Sequence, residues 1–155
     1  MSRPDVGDMF PDATLTDAGG HPITLGRAPT KRVIFFYPKD DTPGCTTENK
    51  DFSALSQDFA QAGVELLGVS KDPPAKHARF AAKHLLTAPL ASDAETDGLA
   101  EKLGIWVEKA LYGRKYMGME RTTYLVDSRG KIARVWRKVK VAGHAAEVLE
   151  AARAL

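Results

Sequence analysis

The chain contains one cysteine, Cys45, and its setting makes it a candidate nucleophile. It stands in the run Tyr37-Pro38-Lys39-Asp40-Asp41-Thr42-Pro43-Gly44-Cys45-Thr46-Thr47-Glu48, after an apolar stretch and at the expected start of a helix. The N–H groups of a first helical turn lack intrahelical partners and sit at the positive end of the macrodipole, which favours a thiolate. Cysteines so placed titrate at about 3.5 to 7.5 instead of about 8.5, and the thiolate is the reactive form. From residue type alone, the competing role is that of a small buried apolar side chain.

The helix start reads residue by residue. Thr42 is placed as N-cap and Pro43 at N1, where a missing N–H costs nothing, so Gly44 and Cys45 fall at N2 and N3. The free donors beside the sulfur are then the N–H groups of Gly44 and Cys45. Gly44 lets a small anionic or oxygen-rich ligand approach the backbone closely. Downstream, Cys45, Glu48, Phe52, Leu55, Phe59 and Ala62 form one helical stripe that runs unbroken to Gly63, a C′ residue. Cys45 and Glu48 share the face that Phe52, Leu55 and Phe59 bury, which suggests a shallow, partly desolvated pocket. Glu48 reads equally as a pocket carboxylate and as an acid favoured by the helix N-terminus.

The elements that must position these residues alternate along the chain. Ala13 to Thr16 and Pro22 to Leu25, around Asp17-Ala18-Gly19-Gly20-His21, predict an N-terminal β-hairpin. Arg32 to Tyr37 is a buried-strand run that feeds the Cys45 helix. Val64 to Val69 is a second such strand, Asp72-Pro73-Pro74 opens a helix through His84, Ala88 to Ser92 is a short strand, and Gly98 to Leu103 a short helix. Thr122 to Val126 and Lys131 to Trp136 flank Asp127-Ser128-Arg129-Gly130, a type I turn, and Gly143 to Leu155 closes as a helix. Glu108 to Gly118 is left as a loop whose Tyr112, Tyr116 and Met117 suit core, pocket wall or partner surface equally. This alternation implies an α/β fold with a central mixed β-sheet flanked by helices, in a single domain spanning 1–155.

The Pro38-x-x-x-Thr42-x-x-Cys45 pattern resembles the active-site signature of the peroxiredoxins. Phe36-Tyr37-Pro38-Lys39-Asp40, Thr42-Pro43-Gly44-Cys45-Thr46-x-Glu48 and Glu120-Arg121-Thr122-Thr123-Tyr124-Leu125-Val126-Asp127 resemble the bacterioferritin comigratory protein branch, also called peroxiredoxin Q. Val6-Gly7-Asp8-x-x-Pro11-Asp12 and Gly104-Ile105-Trp106-Val107-Glu108-Lys109 extend the likeness over nearly the whole chain. The resemblance implies a thioredoxin-like fold and a thiol peroxidase acting on hydrogen peroxide and organic hydroperoxides. It implies that Cys45 attacks the O–O bond, Thr42 places its hydroxyl against peroxide and thiolate, Pro38 shields the pocket and Arg121 supplies charge to both. The physics agrees: sulfur attack builds negative charge on the leaving oxygen, where fixed N–H groups and a planar, permanently charged guanidinium stabilise the transition state. Gly44 and Glu48 complete the expected substrate site.

The chain departs from that branch in its resolving cysteine. The position five residues on is Lys50, and Ala75 to Leu85 holds no cysteine, so no intrachain disulfide can form. Oxidised Cys45 then depends on an external thiol, from thioredoxin, glutaredoxin or glutathione, or on a second chain. A thioredoxin-like electron carrier is disfavoured because Thr42 stands where Cys-x-x-Cys chemistry needs its first cysteine. A non-catalytic binding or chaperone module that keeps the fold is the remaining alternative.

Charge and composition narrow the partners. The 22 basic and 20 acidic residues are interspersed, for a net charge of +2, and Arg134-Val135-Trp136-Arg137-Lys138-Val139-Lys140 reads as a strand with a solvated end, so no nucleic acid is expected. The opening Met1-Ser2-Arg3-Pro4-Asp5 lacks the apolar stretch of a signal peptide, and no run approaches the roughly 20 apolar residues that span a bilayer. An unpaired cysteine fits a reducing compartment, so the expectation is cytoplasmic, without membrane contact, as a monomer or weak homodimer. His21, His77, His84 and His144 are scattered, with no metal-ligand spacing and no phosphate loop nearby, so neither metal nor bound cofactor is expected; His77 and His84, seven apart on one helix face, read as packing or surface residues.

Overall fold

The computed structural model describes residues 3–25, 30–94 and 98–155; Met1 and Ser2, part of the opening taken to lack a signal peptide, lie outside them. Its elements are β1 (Ala13–Asp17), β2 (Pro22–Leu25), β3 (Lys31–Phe36), α1 (Pro43–Ala54), α2 (Ser56–Gln61), β4 (Val64–Ser70), α3 (Pro74–His84), β5 (Leu90–Ser92), α4 (Leu99–Lys102), β6 (Trp106–Leu111), β7 (Arg114–Met119), β8 (Thr122–Val126), β9 (Ile132–Trp136) and α5 (His144–Ala154). Among the described residues one sheet runs β2-β1-β5-β4-β3-β8-β9. β3, β4 and β5 pair in parallel, and antiparallel strands flank them on both sides, which gives the mixed sheet. The architecture is the expected α/β one, a central mixed sheet flanked by helices.

Side-chain alternation along β3 builds two cores. Val33 and Phe35 point to the face covered by α1, α2, α3 and α5, with Phe52, Phe59, Phe80 and Val148, whereas Ile34 and Phe36 point to the other, with Phe10, Leu99, Ile105, Met119 and Tyr124. Phe35 stacks on Phe52 at 4.2 Å between ring centroids, so the helix that carries Cys45 is packed directly on the central strand.

Three expectations are corrected. The helix after Cys45 does not run unbroken to Gly63: it stops at Leu55 (φ −100°, ψ 7°) and restarts as α2. Leu55 N–H turns back to Phe52 C=O, and the Thr87 hydroxyl takes the Ser53 carbonyl, a side chain inserted into the helical ladder. The stripe survives the break, with Phe52 and Phe59 buried and Leu55 and Ala62 packed beside them. The strand expected from Ala88 begins only at Leu90. Residues 108–118 are not a loop: β6 and β7 form a separate antiparallel hairpin. Tyr112 and Gly113, at φ 50° and 77°, make its two-residue turn, the left-handed pair that matches strand twist and that glycine adopts freely.

Candidate active site

The sulfur sits at the carboxyl end of β3, where the chain leaves the sheet through Tyr37 to Thr42 and enters α1. Thr46 N–H bonds to Thr42 C=O at 2.8 Å, so the N–H groups of Gly44 and Cys45 lie ahead of this first helical bond, as the sequence predicts. Thr42 occupies the N-cap with extended backbone (φ −96°, ψ 154°), but its side chain does not cap. Its hydroxyl instead donates to Lys39 C=O at 2.8 Å, which fastens the loop to itself.

Cys45 is 1% exposed, and Arg121, half a sheet away in sequence, reaches it from the start of β8. Arg121 Nη2 donates to Cys45 Sγ at 3.4 Å, and Nη1 donates to Glu48 Oε1 at 2.6 Å. One guanidinium thus holds the sulfur and a carboxylate one helical turn apart. Burial works against the charge on Arg121, but Glu48 and Cys45 outweigh it and push its pKa up. Glu48 is 1% exposed, and burial, only partly offset by Arg121, raises its carboxyl from 4.5 to about 7. Glu48 Oε2 has no hydrogen-bond partner, nor has Asn49 Oδ1 beside it, although Asn49 Nδ2 donates to Cys45 C=O at 2.9 Å.

The approach to the sulfur is framed by small groups. Gly44 is exposed, and a Cβ built on it would lie 3.4 Å from Arg121 Nη2, which places this glycine directly beside the guanidinium. Pro38 is half-buried at the head of the loop. Two hollows, of about 660 and 640 Å³, open elsewhere, and neither is lined by Cys45, Thr42 or Arg121.

Other neighbours were not legible as site residues. Lys109, on β6 of the hairpin left as a loop, donates to Met119 C=O; burial and the repulsion of Arg121 lower its pKa, while Cys45 and Glu120 pull it up. His144, at the start of α5, pairs its Nε2 with the Thr123 hydroxyl at 2.8 Å, and burial lowers it to about 4, so the ring behind Arg121 is neutral. An Asp-free, Cys-free helix start gave no signal for it. The two histidines on α3 do more than pack. His77 Nδ1 meets Asp40 Oδ2 at 2.6 Å and His84 Nε2 meets Asp41 Oδ1 at 2.8 Å, so one face of α3 grips two successive residues of the loop before Cys45. Their spacing of seven was the available clue; the facing aspartates were visible only as part of the motif.

Comparison with known proteins gives the chain its relatives. Residues 6–135 match the AhpC/TSA family. Peroxiredoxin Bcp of Xanthomonas campestris pv. campestris is 46% identical over 144 residues, covering 92% of this chain and 89% of the relative. Peroxiredoxin Bcp of Bacillus subtilis is 42% identical over 147 residues, 94% of this chain and 93% of the relative. Among solved structures, the Xanthomonas campestris bacterioferritin comigratory protein, described for its alkyl peroxide reduction activity, superposes with a TM-score of 0.85 at 45% identity, over 91% of this chain and 90% of that one.

Proposed function

Given that this chain belongs to the AhpC/TSA family and is a peroxiredoxin, a thiol-dependent peroxidase, we propose that Cys45 is the sulfur that reduces hydroperoxides, with Thr42 and Arg121 as its catalytic partners and Pro38, Gly44 and Glu48 forming the substrate site. One observation carries the reading: the two prongs of Arg121 are divided between Cys45 Sγ and Glu48 Oε1. The thiolate attacks the terminal peroxide oxygen, the S–O bond forms as the O–O bond breaks, and Cys45 becomes a sulfenic acid. Because the Thr42 hydroxyl spends its hydrogen on Lys39 C=O, its oxygen accepts the hydrogen bond of the incoming peroxide and turns the terminal oxygen toward the sulfur. The Gly44 and Cys45 N–H groups and Arg121 carry the negative charge of the transition state.

Resolution uses an external thiol. Cys45 is the chain's one cysteine, and Lys50 is exposed on α1 where a resolving cysteine would have to unwind the helix to meet it. The sulfenic acid condenses with a first thiol to a mixed disulfide and water, and a second thiol returns Cys45 to its reduced form. Thioredoxin, glutaredoxin and glutathione are the candidate donors. The whole of 1–155 acts as one domain, monomeric or weakly dimeric, in the cytoplasm. Among the described residues no helix is long and apolar enough to cross a membrane.

Cys45→Ser tests this directly. Thiol-dependent peroxide consumption is expected to vanish with the thermal melt preserved, and one equivalent of peroxide should leave the native chain monomeric with one added oxygen on Cys45. Turnover retained in the variant rejects the peroxidatic assignment, and a native chain that consumes no peroxide favours a binding or chaperone module that keeps the fold. A disulfide-linked dimer without a trappable sulfenic acid rejects the external thiol.

A further inference from the structure

We propose that Glu48 is the general acid of the reaction, taking the proton that leaves the Cys45 thiol and delivering it to the leaving oxygen of the hydroperoxide. The inference rests on the peroxidatic role of Cys45 and goes beyond it, because a thiolate mechanism alone leaves the departing alkoxide to find its own proton.

Three features of the side chain support it. Glu48 lies one helical turn after Cys45 on the same face of α1, and adjacent prongs of one guanidinium bind its Oε1 and the sulfur. Its second oxygen, Oε2, is buried and unpartnered, so a hydrogen placed there breaks no existing bond and fills a vacancy that otherwise costs desolvation. The charges that face it are Arg121 across the site and Asp51 on its own helix, and the guanidinium that binds its Oε1 also binds the sulfur, so carboxyl and sulfur lie on one continuous hydrogen-bonded path. Burial raises the carboxyl to about 7, the range in which a group both accepts and releases a proton near neutrality. A simple ion pair with Arg121 would need neither the empty oxygen nor the raised pKa.

The step balances. The Cys45 thiol gives its proton to the Glu48 carboxylate, and the thiolate attacks ROOH. Sulfur is oxidised by two electrons and the peroxide reduced by two; the electron pair of the O–O bond goes to the RO oxygen, which takes the proton from Glu48. The products are Cys45 sulfenic acid, ROH and the Glu48 carboxylate, and the next thiol proton returns to it once the reductant has restored Cys45.

The leaving group exposes the role. tert-Butyl hydroperoxide expels a strongly basic alkoxide that needs the proton, whereas peracetic acid expels acetate, which does not. In single-turnover oxidation of the full chain, Glu48→Gln should lower the second-order rate of the thiolate with tert-butyl hydroperoxide by about 100-fold and with peracetic acid by less than about threefold. Thiolate absorbance, titrated alongside, corrects both rates for the fraction ionised. Equal loss with the two peroxides, or no loss with the first, overturns the proposal and assigns Glu48 to holding Arg121. If the variant does not fold, the native chain decides by its solvent deuterium effect: slowing in D2O by about twofold or more with the alkyl hydroperoxide alone supports proton delivery, and equal effects overturn it. A native chain in which neither peroxide oxidises Cys45 defeats the peroxidatic reading itself.

Discussion

Two buried polar clusters flank the turn into α1: one, from α3, grips the loop from Pro38 to Thr42, the other, on α1, surrounds the sulfur, and they are finished differently. On the α3 side the side-chain polar atoms of Tyr37, Asp40 and His77 are all used. The Tyr37 hydroxyl donates to Asp40 Oδ1 at 2.6 Å, His77 Nδ1 meets Asp40 Oδ2 at 2.6 Å, and His77 Nε2 meets Ala91 C=O at 3.0 Å. Both ring nitrogens of His77 are thus engaged, one by a side chain of the loop and one by the backbone of β5. Asp40 N–H donates to Asp72, which Ser70 and Lys76 also hold. Burial, with the Asp40 charge, pushes the Tyr37 phenol far above its ordinary range, so it remains a donor. On the α1 side, among the described residues, Glu48 Oε2 and Asn49 Oδ1 are buried without partners, and the Cys45 sulfur has only the long bond from Arg121. A satisfied network fixes a single arrangement; an unfinished one keeps capacity for a ligand and a proton. The loop is therefore set in place by the first cluster and does its chemistry at the second.

The sharpest way to break this contrast is to injure the finished side. Asp40→Asn removes the carboxylate between Tyr37 and His77 and leaves a buried hydrogen-bonding group facing the wrong end of an amide, a loss of about 1 to 3 kcal/mol. Denaturant unfolding should show that loss, while the peroxide rate per folded molecule stays within about tenfold of native. Unchanged stability would mean that the α3 cluster does not hold the loop. Arg121→Lys makes the mirror-image injury. An ammonium cannot serve sulfur and carboxylate with two rigid prongs, so the second-order rate should fall about 10² to 10³-fold, roughly 2.7 to 4 kcal/mol in barrier, at nearly native stability. Stopped-flow oxidation checks it, and an undiminished rate takes Arg121 out of the site.

The same contrast explains what the sequence disclosed. Cys45, Thr42, Gly44 and Glu48 were legible as a helix start because such a start converts spacing into geometry, and the α/β class followed from apolar runs alternating with helical stripes, whereas the order of the strands did not. Arg121 was one basic residue among 22 and was singled out only by the family likeness, since its partners are 73 and 76 residues away. The α3 cluster escaped for the same reason: Tyr37, Asp40 and His77 are joined by tertiary packing that no local period encodes. The hairpin of β6 and β7 was missed because Tyr112 at the first left-handed turn position is an unusual choice, where Asn or Asp would have announced the turn. The helix break at Leu55 was invisible because the cause, the Thr87 hydroxyl, comes from 34 residues further on.

The last prediction turns the unfinished side into a pH dependence. Glu48 is raised from 4.5 to about 7, chiefly by burial. Between those values the folded chain holds a proton that the unfolded chain has released, so stability falls as pH rises through the window. Below about 4.5 the carboxyl is protonated in both states and contributes nothing; above about 7 the folded state bears the full cost of a buried carboxylate, up to about 3 kcal/mol. Gln at this position does not titrate. Cys45→Ser is therefore compared with Cys45→Ser/Glu48→Gln, so that no thiol ionises in either. The double variant should gain on the single one steadily from pH 4.5 to 7 and hold its lead above. His144 works with the opposite sign: its pKa is lowered from 6.5 to about 4, the unfolded chain binds the proton between those values, and stability rises with pH there. That slope is common to both variants and cancels in their difference. A difference that stays flat from pH 4.5 to 7.5 would show that Glu48 ionises as an exposed carboxylate does, and the two sides of the loop would then be equally finished.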